Sequence, residues 1–157
     1  EIVKEQAKTK PIPKETMRQM QIDFTLTTPG LFEVETMFDL SLQYESVIIS
    51  KVCFAFSPDI MMAPMCLPRH ILDRKVDEIL ANIEHRATWR QQGMIDMLKQ
   101  LKNRPTFEEQ WPNEYKVGFM KGRSRLRSLE KIREQKTTFD EIMDKDKEMS
   151  QWWNREM

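Results

Sequence analysis

Apolar and polar residues alternate along the first third of the chain, which is the pattern of β-strands. The alternation covers 22–26 and again 32–44, and Pro29-Gly30 between these stretches predicts a turn. A third stretch, 47–56, is apolar on both faces. Because period two with one charged face is typical of a half-exposed antiparallel sheet, the pattern predicts a short three-stranded antiparallel sheet over about 20–57.

Helical spacing replaces this alternation after a loop rich in proline and methionine at 58–68. Over 69–103 the apolar residues recur every three or four positions, and this predicts one long amphipathic helix with a possible kink at Gly93. Its apolar stripe starts with Leu72, Val76, Ile79, Leu80, Ile83 and Ala87. Such a helix would be longer than a three-stranded sheet can cover, so part of it is expected to meet something else.

Two capping-box patterns, at Thr106 and Thr138, predict further helix starts, the second one that of the last helix. Between them a narrow stripe of Leu126, Leu129 and Ile132 predicts a helix with little apolar surface. The fold class expected is therefore α+β, with three or four amphipathic helices, partly extended, after the sheet. The predicted segments are a basic arm (1–18), the β unit (19–57), the loop (58–68), the long helix (69–103) and basic then acidic helices (104–157).

Composition limits the class of protein. Lys plus Arg and Asp plus Glu both total 25, so no overall field favours nucleic acid or an anionic membrane. Two cysteines make no disulfide framework, and no apolar run reaches the roughly 18 residues of a membrane span. These features predict an intracellular protein without a membrane segment, cytoplasmic or cytoskeletal, with the mitochondrial matrix as the alternative.

Catalytic and cofactor signatures are sparse. The chain has 2 histidines, and its 4 glycines build no phosphate-binding fingerprint. Met61, Met62, Met65 and Cys66 are soft donors that suit Cu(I), but methionine also fills irregular gaps in cores. We therefore expect no catalytic, cofactor-binding or metal-binding residues, and a protein that is not an enzyme.

The strongest local signal is electrostatic. Residues 116–136 contain eight cations and two carboxylates, a net charge of +6, whereas 139–157 contain three cations and six carboxylates, a net charge of −3. Three interpretations stay open: the basic helix pairs with the acidic one or is solvated, it binds an acidic protein surface or a calmodulin-like groove, or it binds RNA phosphates. Tyr115 and Phe119, at the edge of the basic run, could stack on bases.

Aromatic, arginine and large apolar side chains dominate binding energy at interfaces, which selects the candidate residues for partner binding. On the long helix they are Trp89 and Leu98. The basic and C-terminal segments contribute Arg123, Arg125, Arg127, Ile142, Met149, Trp152 and Trp153. The adjacent tryptophans diverge by about 100° on a helix, so both are buried only if that helix end is enclosed, which predicts docking.

One short resemblance bears on function. The stretch Val52-Cys53-Phe54-Ala55-Phe56-Ser57-Pro58 resembles a strand end of immunoglobulin-like domains of the major-sperm-protein type, which occur in ciliary proteins. The resemblance implies a cytoskeletal scaffold, with 20–57 as the end of such a domain.

The function expected is that of a non-catalytic structural or scaffolding subunit. It would dock onto other protein subunits of a large assembly, cytoskeletal or axonemal, with an acidic protein surface or RNA as the candidate partner of 116–136. The alternative is a small RNA-binding subunit of a ribonucleoprotein, which could be mitochondrial.

Overall fold

A computed structural model describes residues 20–44, 47–54, 62–133 and 137–156 of the chain. The described part is mostly helical with little sheet. Its strands and helices are β1 (Met20–Leu26), α1 (Val34–Gln43), β2 (Val47–Phe54), α2 (Arg69–Ile83), α3 (Gln92–Asn103), α4 (Phe107–Gln110), α5 (Pro112–Arg133), α6 (Phe139–Met143) and α7 (Lys147–Asn154). Short 3₁₀ turns at Pro29–Phe32, Pro64–Cys66 and Glu84–Arg86 connect some of them.

The three-stranded antiparallel sheet is wrong, because its middle strand is the helix α1. The residues that this region buries are Leu31, Val34, Phe38 and Ser41, whose spacing is that of one helical face. The other apolar residues of the alternation, Leu40 and Leu42, are only half-buried. Glu, Met, Leu and Gln in this segment favour helix over strand, and this preference outweighs the alternation. Val34 and Phe38 belong to the alternation but, four residues apart, they also lie on one helical face.

The two strands that exist pair in parallel, from Met20 opposite Val47 to Leu26 opposite Phe54. Parallel strands need a crossover connection, usually a helix, and α1 supplies it. The prediction of antiparallel pairing depends on 32–44 being the middle strand. Since this segment is a helix, it connects β1 and β2 and is not their neighbour in the sheet.

The segment 69–103 forms two helices instead of one, and the break lies at 84–91, before Gly93. Lys102 pairs with Asp77 at 2.6 Å, and Lys99 pairs with Glu84, so α2 and α3 run antiparallel against each other. Folding back lets both helices bury their apolar faces within the chain, so the helix needs no outside partner for its length.

Buried polar side chains hold this turn to α1. The Gln91 amide oxygen accepts hydrogen bonds from the Thr88 backbone N–H at 3.0 Å and from the Thr88 hydroxyl at 2.7 Å. The Gln91 amide nitrogen donates to the Ser41 hydroxyl at 3.0 Å, and Ser41 donates to the Phe38 carbonyl at 2.7 Å. Gln91 and Ser41 are both fully buried, so each needs these partners.

Both capping boxes are confirmed. Thr106 and Glu109 cap α4 reciprocally, and Thr138 and Glu141 cap α6 in the same way. The second box does not begin the last helix, however, because α6 is short and Asp146 caps a separate helix, α7. α4 ends at Gln110, just before Pro112, and Pro112 opens α5, where its missing N–H costs no helical hydrogen bond.

Two predicted features fall outside the described residues. They are the basic arm at 1–18 and most of the resemblance at 52–58 with its following loop up to Met61. The remainder of that loop, from Ala63 to Leu67, is buried, and Met65 and Cys66 pack in the core.

Candidate interaction surface

The inner face of α5 packs on the C-terminal helices through a cluster of aromatic rings. The Phe119 ring centre lies 5.2 Å from that of Trp152 and 5.8 Å from that of Trp153, and Phe139 lies 4.5 Å from Trp153. The Trp152 indole N–H donates to the Tyr115 hydroxyl at 3.0 Å, and Tyr115 donates in turn to the Cys66 carbonyl. Aromatic pairs at these distances add to the stability that burial provides.

Four of the predicted partner-binding residues lie in the core, where this aromatic cluster forms part of the packing. Trp152, Trp153, Met149 and Leu98 are at most 3% exposed and belong to the chain's own core. Two adjacent tryptophans are enclosed here, as the sequence required, but the enclosure comes from α5 and α6 and not from another protein. Partner binding by these four side chains stays a prediction, and it would require the core to open.

The aromatic residues considered for RNA stacking are also in the core. Tyr115 is 6% exposed and Phe119 is 0% exposed. A ring without an exposed face cannot stack on a base, so this argument for RNA binding is lost.

Two of the three predicted arginines face inward. Arg123 donates to the carbonyls of Trp153 and Arg155 at 2.7 and 2.9 Å, and it thereby binds the end of α7. Arg127 pairs with Asp140 at 2.8 Å and lies over the Trp153 ring. These contacts are those of the interpretation in which the basic helix pairs with the acidic segment, and they hold for this face of α5 only.

Charge within this group is balanced by the same contacts. Burial opposes ionisation of Asp140, but hydrogen bonds from Arg127 and the Trp153 indole outweigh it, so the pKa of Asp140 lies below its usual value. Burial and the neighbouring Arg127 lower the pKa of Arg123. An arginine pKa starts so high that Arg123 stays charged at neutral pH.

The opposite side of α5 is exposed along its length. We define the outer face of α5 as Val117, Met120, Lys121, Ser124, Arg125, Ser128, Lys131 and Ile132. These residues follow one another at helical spacing, and all are exposed, Ile132 by 78% and Val117 by 52%. In the narrow apolar stripe predicted for this helix, Leu126 packs against the core, whereas Leu129 and Ile132 are exposed. The buried residues of α5 are Tyr115, Phe119 and Gly122.

Among the residues that the structure describes, the cations of the outer face form no salt bridge. Lys121, Arg125 and Lys131 have no salt bridge to any described carboxylate. Arg74 on α2, by contrast, contacts Glu78 at 2.6 Å, Asp146 at 2.7 Å and Glu148 at 2.6 Å. The outer face thus combines three cations that have no described salt bridge with exposed apolar side chains, and none of its eight residues is a carboxylate.

The last two predicted residues lie away from this face. Trp89 is 70% exposed on the turn between α2 and α3. Ile142 is half-buried beside a cleft of about 200 Å³ that α5 and α6 line with Leu126, Leu129 and Phe139. The outer face contains only Arg125 of the nine predicted positions, because the prediction selected aromatic, arginine and large apolar residues by type and not by the side of α5 that stays exposed.

Metal and thiol chemistry find little support in the geometry. Within the part of the chain that is described, no group of three or more His, Cys, Asp or Glu side chains could hold a metal ion. Burial raises the pKa of Cys66 to about 12, so its thiol stays protonated at neutral pH. None of the described helices is both long and apolar enough to span a membrane.

Comparison with known proteins gives no further guide. No protein-family model matches the chain, and no curated protein and no solved structure is significantly similar to it.

Proposed function

We propose that this chain is a non-catalytic interaction subunit that docks on an acidic surface of a partner protein through the outer face of α5. The observation that supports it is the combination of Lys121, Arg125 and Lys131, which have no described counterion, with exposed Val117 and Ile132 on one helical face. Uncompensated cations favour a negative partner, and the apolar residues between them provide burial that charge alone lacks.

The dimensions of α5 fit recognition of a helix in a groove. The outer face extends from Val117 to Ile132, about 23 Å at 1.5 Å per residue. Because Phe119 on the inner face, together with Arg123 and Arg127, fixes α5 to the C-terminal helices, the helix is presented already ordered. Ordering before binding reduces the entropy cost of association.

RNA is the second candidate, and the same three cations favour it. Phosphates bind exposed lysine and arginine without regard to the residues between them, so Val117, Met120 and Ile132 would then be dispensable. The exposed apolar residues and the burial of Tyr115 and Phe119 make an acidic protein the better proposal. A place in a cytoskeletal or axonemal assembly stays a prediction.

The test measures binding of the full chain to a short poly-glutamate peptide and to poly-uridine RNA by fluorescence anisotropy at physiological ionic strength. The double variant Lys121→Glu with Arg125→Glu should weaken peptide binding about five- to tenfold, since two exposed ion pairs are lost and repulsion replaces them. Lys145→Glu with Lys147→Glu is the matched control, because it changes the net charge equally at exposed positions outside α5. That control should stay within about twofold.

The apolar part of the face separates the two candidates. Val117→Ser with Ile132→Ser removes exposed apolar surface without altering charge, and it should weaken capture of the protein partner while leaving poly-uridine binding unchanged. Capture of the protein partner is measured by chemical crosslinking in cells. The Lys121→Glu/Arg125→Glu and Val117→Ser/Ile132→Ser variants are compared in the same experiment. Tight poly-uridine binding that depends on Lys121 and Arg125, without peptide binding, would transfer the proposal to RNA. If the Lys121→Glu/Arg125→Glu variant and the Lys145→Glu/Lys147→Glu control lost peptide affinity equally, α5 would not be the docking helix.

A further inference from the structure

Two serines interrupt the cations of the outer face of α5. Ser124 and Ser128 are both exposed, and the Ser128 hydroxyl donates to the Ser124 carbonyl at 2.9 Å. Ser128 lies three residues after Arg125 and three before Lys131, so both cations are its neighbours on the helix surface. A hydroxyl between two cations that have no described counterion can accept a dianionic group without loss of any existing ion pair.

The residues around Ser128 also have the pattern that basic-directed protein kinases select. Arginines stand one, three and five positions before it, at 127, 125 and 123, and Leu129 follows it. Kinases of this class bind cations preceding the acceptor hydroxyl in acidic subsites, and charge pattern is a principal source of their selectivity. Ser124 has a less favourable setting, because Arg125 follows it where Ser128 has an apolar residue.

A kinase binds its substrate in extended form, so the end of α5 must open locally. Ser128 is near the end of the helix at Arg133, where Lys131, Ile132 and Arg133 are all exposed. The contacts to be released are made by exposed or half-buried side chains of α5: the Arg127 pair with Asp140, its bond to Asn154 and its contact with the Trp153 ring, the Arg123 bonds to the carbonyls of Trp153 and Arg155, the Glu130 bond to the Phe139 N–H, and half-buried Leu126. Helix ends with few buried contacts open far more readily than the core.

We propose that Ser128 is a phosphorylation site for a basic-directed protein kinase, and that its phosphate switches off docking by the outer face of α5. The Ser128 Oγ forms a bond to the γ-phosphorus of ATP while the bond from that phosphorus to the β–γ bridging oxygen breaks. ADP leaves with the bonding electron pair, and the hydroxyl proton passes to the kinase's catalytic carboxylate.

The consequence for the surface is electrostatic. A phosphoserine carries about −1.5 to −2 charges, which neutralises about half to two thirds of the charge of Lys121, Arg125 and Lys131 together. Arg125 and Lys131 are placed to donate to its oxygens, so they are withdrawn from an acidic partner. This switching role rests on the proposed function of the outer face, whereas the modification site itself does not.

The experiment treats the full chain with the catalytic subunit of cyclic-AMP-dependent protein kinase and MgATP, and maps phosphate by mass spectrometry. Phosphate is expected at Ser128, and Ser128→Ala should abolish it. Arg125→Ala should slow incorporation about tenfold, whereas Lys116→Ala, an exposed cation on the same helix far from Ser128, should not. Circular dichroism of each variant verifies that α5 is retained. Phosphate only at other residues, or a rate indifferent to Arg125, overturns the site.

Poly-glutamate affinity of the same preparations then decides the switch. Phosphorylated chain should bind at least about fivefold more weakly than unmodified chain, and Ser128→Ala treated identically should not change. Phosphate at Ser128 without loss of affinity overturns the switch alone. If unmodified chain fails to bind the peptide, the proposed function of the face fails and the switch with it, while the phosphate map still decides the site.

Discussion

At the scale of single residues, side-chain placement separates the aromatic residues into two kinds. Trp153 is fully buried against Phe119 and Phe139, and its indole N–H donates to Asp140. Trp89 is mostly exposed on a turn. Both are tryptophans in charged, helical sequence, so residue type alone does not distinguish a core position from a surface one.

Trp153→Ala is expected to lower the free energy of unfolding by about 3–5 kcal/mol, since it opens a cavity in the core and removes one of the two side chains that donate to Asp140. Trp89→Ala should change it by less than about 0.5 kcal/mol. Urea denaturation of the full chain followed by circular dichroism measures both. Similar effects of the two substitutions would contradict the burial of Trp153.

Asp146 gives a pH-dependent prediction. Burial opposes its ionisation, but hydrogen bonds from Arg74 and the Met149 N–H outweigh it, so the pKa of Asp146 lies below its usual value. The unfolded chain takes up this proton near pH 4, whereas the folded chain resists until lower pH. Stability is therefore complete above that range and is lost as pH falls through the folded pKa.

Asp146→Asn tests this, because asparagine still caps α7 but cannot pair with Arg74 as a carboxylate. The variant should be less stable by roughly 1–2 kcal/mol at pH 7, and the difference should shrink as the pH falls below about 4 and through the folded pKa of Asp146. Urea midpoints measured across this range provide the comparison. A constant difference at all pH values would show that capping or packing, and not the charge, is responsible.

At the scale of elements, α1 shows how one pattern serves two structures. Its buried residues Val34, Phe38 and Ser41 fit a helix, while apolar residues at every second position also fit a strand. Asn82 on α2 donates to Glu35 at 3.1 Å, and Arg86 pairs with Asp39 at 2.8 Å. The helix thus has a defined docking site on α2, which no local pattern contains.

Asp39→Pro tests whether residue 39 lies in the interior of α1. In the interior of α1 proline removes a helical hydrogen bond and should cost about 3 kcal/mol of unfolding free energy. Asp39→Ala at the same position loses only the exposed pair with Arg86 and should cost about 1 kcal/mol or less. Thermal or urea unfolding of the two variants gives the difference. If they behave alike, residue 39 is not inside a helix.

At the scale of the whole molecule, the buried residues form one connected cluster. It includes Leu26 from β1, Phe38 from α1, Leu72 from α2, Leu98 from α3 and Trp153 from α7. Ion pairs also connect elements that are distant in sequence, since Arg74 on α2 binds Asp146 and Glu148 at the start of α7. A connected core couples elements that are distant in sequence.

Unfolding is accordingly expected to be cooperative, with one transition for the helices and for the tryptophans of α7. The measurement compares far-ultraviolet circular dichroism with tryptophan fluorescence in Trp89→Phe/Trp111→Phe protein, which retains only the buried tryptophans. Coincident transitions are expected for a single cooperative unit. Separate midpoints would show that the C-terminal helices unfold independently.

The sequence by itself determined the structural features that depend only on residues close together along the chain. The capping boxes at Thr106 and Thr138 are reciprocal hydrogen bonds within four residues, so their residue types suffice to predict them. The helical stripe from Leu72 to Ile83 is buried as expected, since it is long and strictly periodic. The need to enclose both Trp152 and Trp153 also followed from helix geometry alone.

Only the tertiary structure decided which side chains are packed within the molecule and which stay exposed. Whether α1 is a strand or a helix, and whether 69–103 folds back, depends on contacts such as Gln91 with Ser41, 50 positions apart in the sequence. The basic run looked uniform, yet folding separates Arg123 and Arg127, bound to the C-terminal segment, from Arg125, which stays exposed. Charge and periodicity are properties of the chain, whereas the availability of a side chain to a partner is decided by what the rest of the chain packs against it.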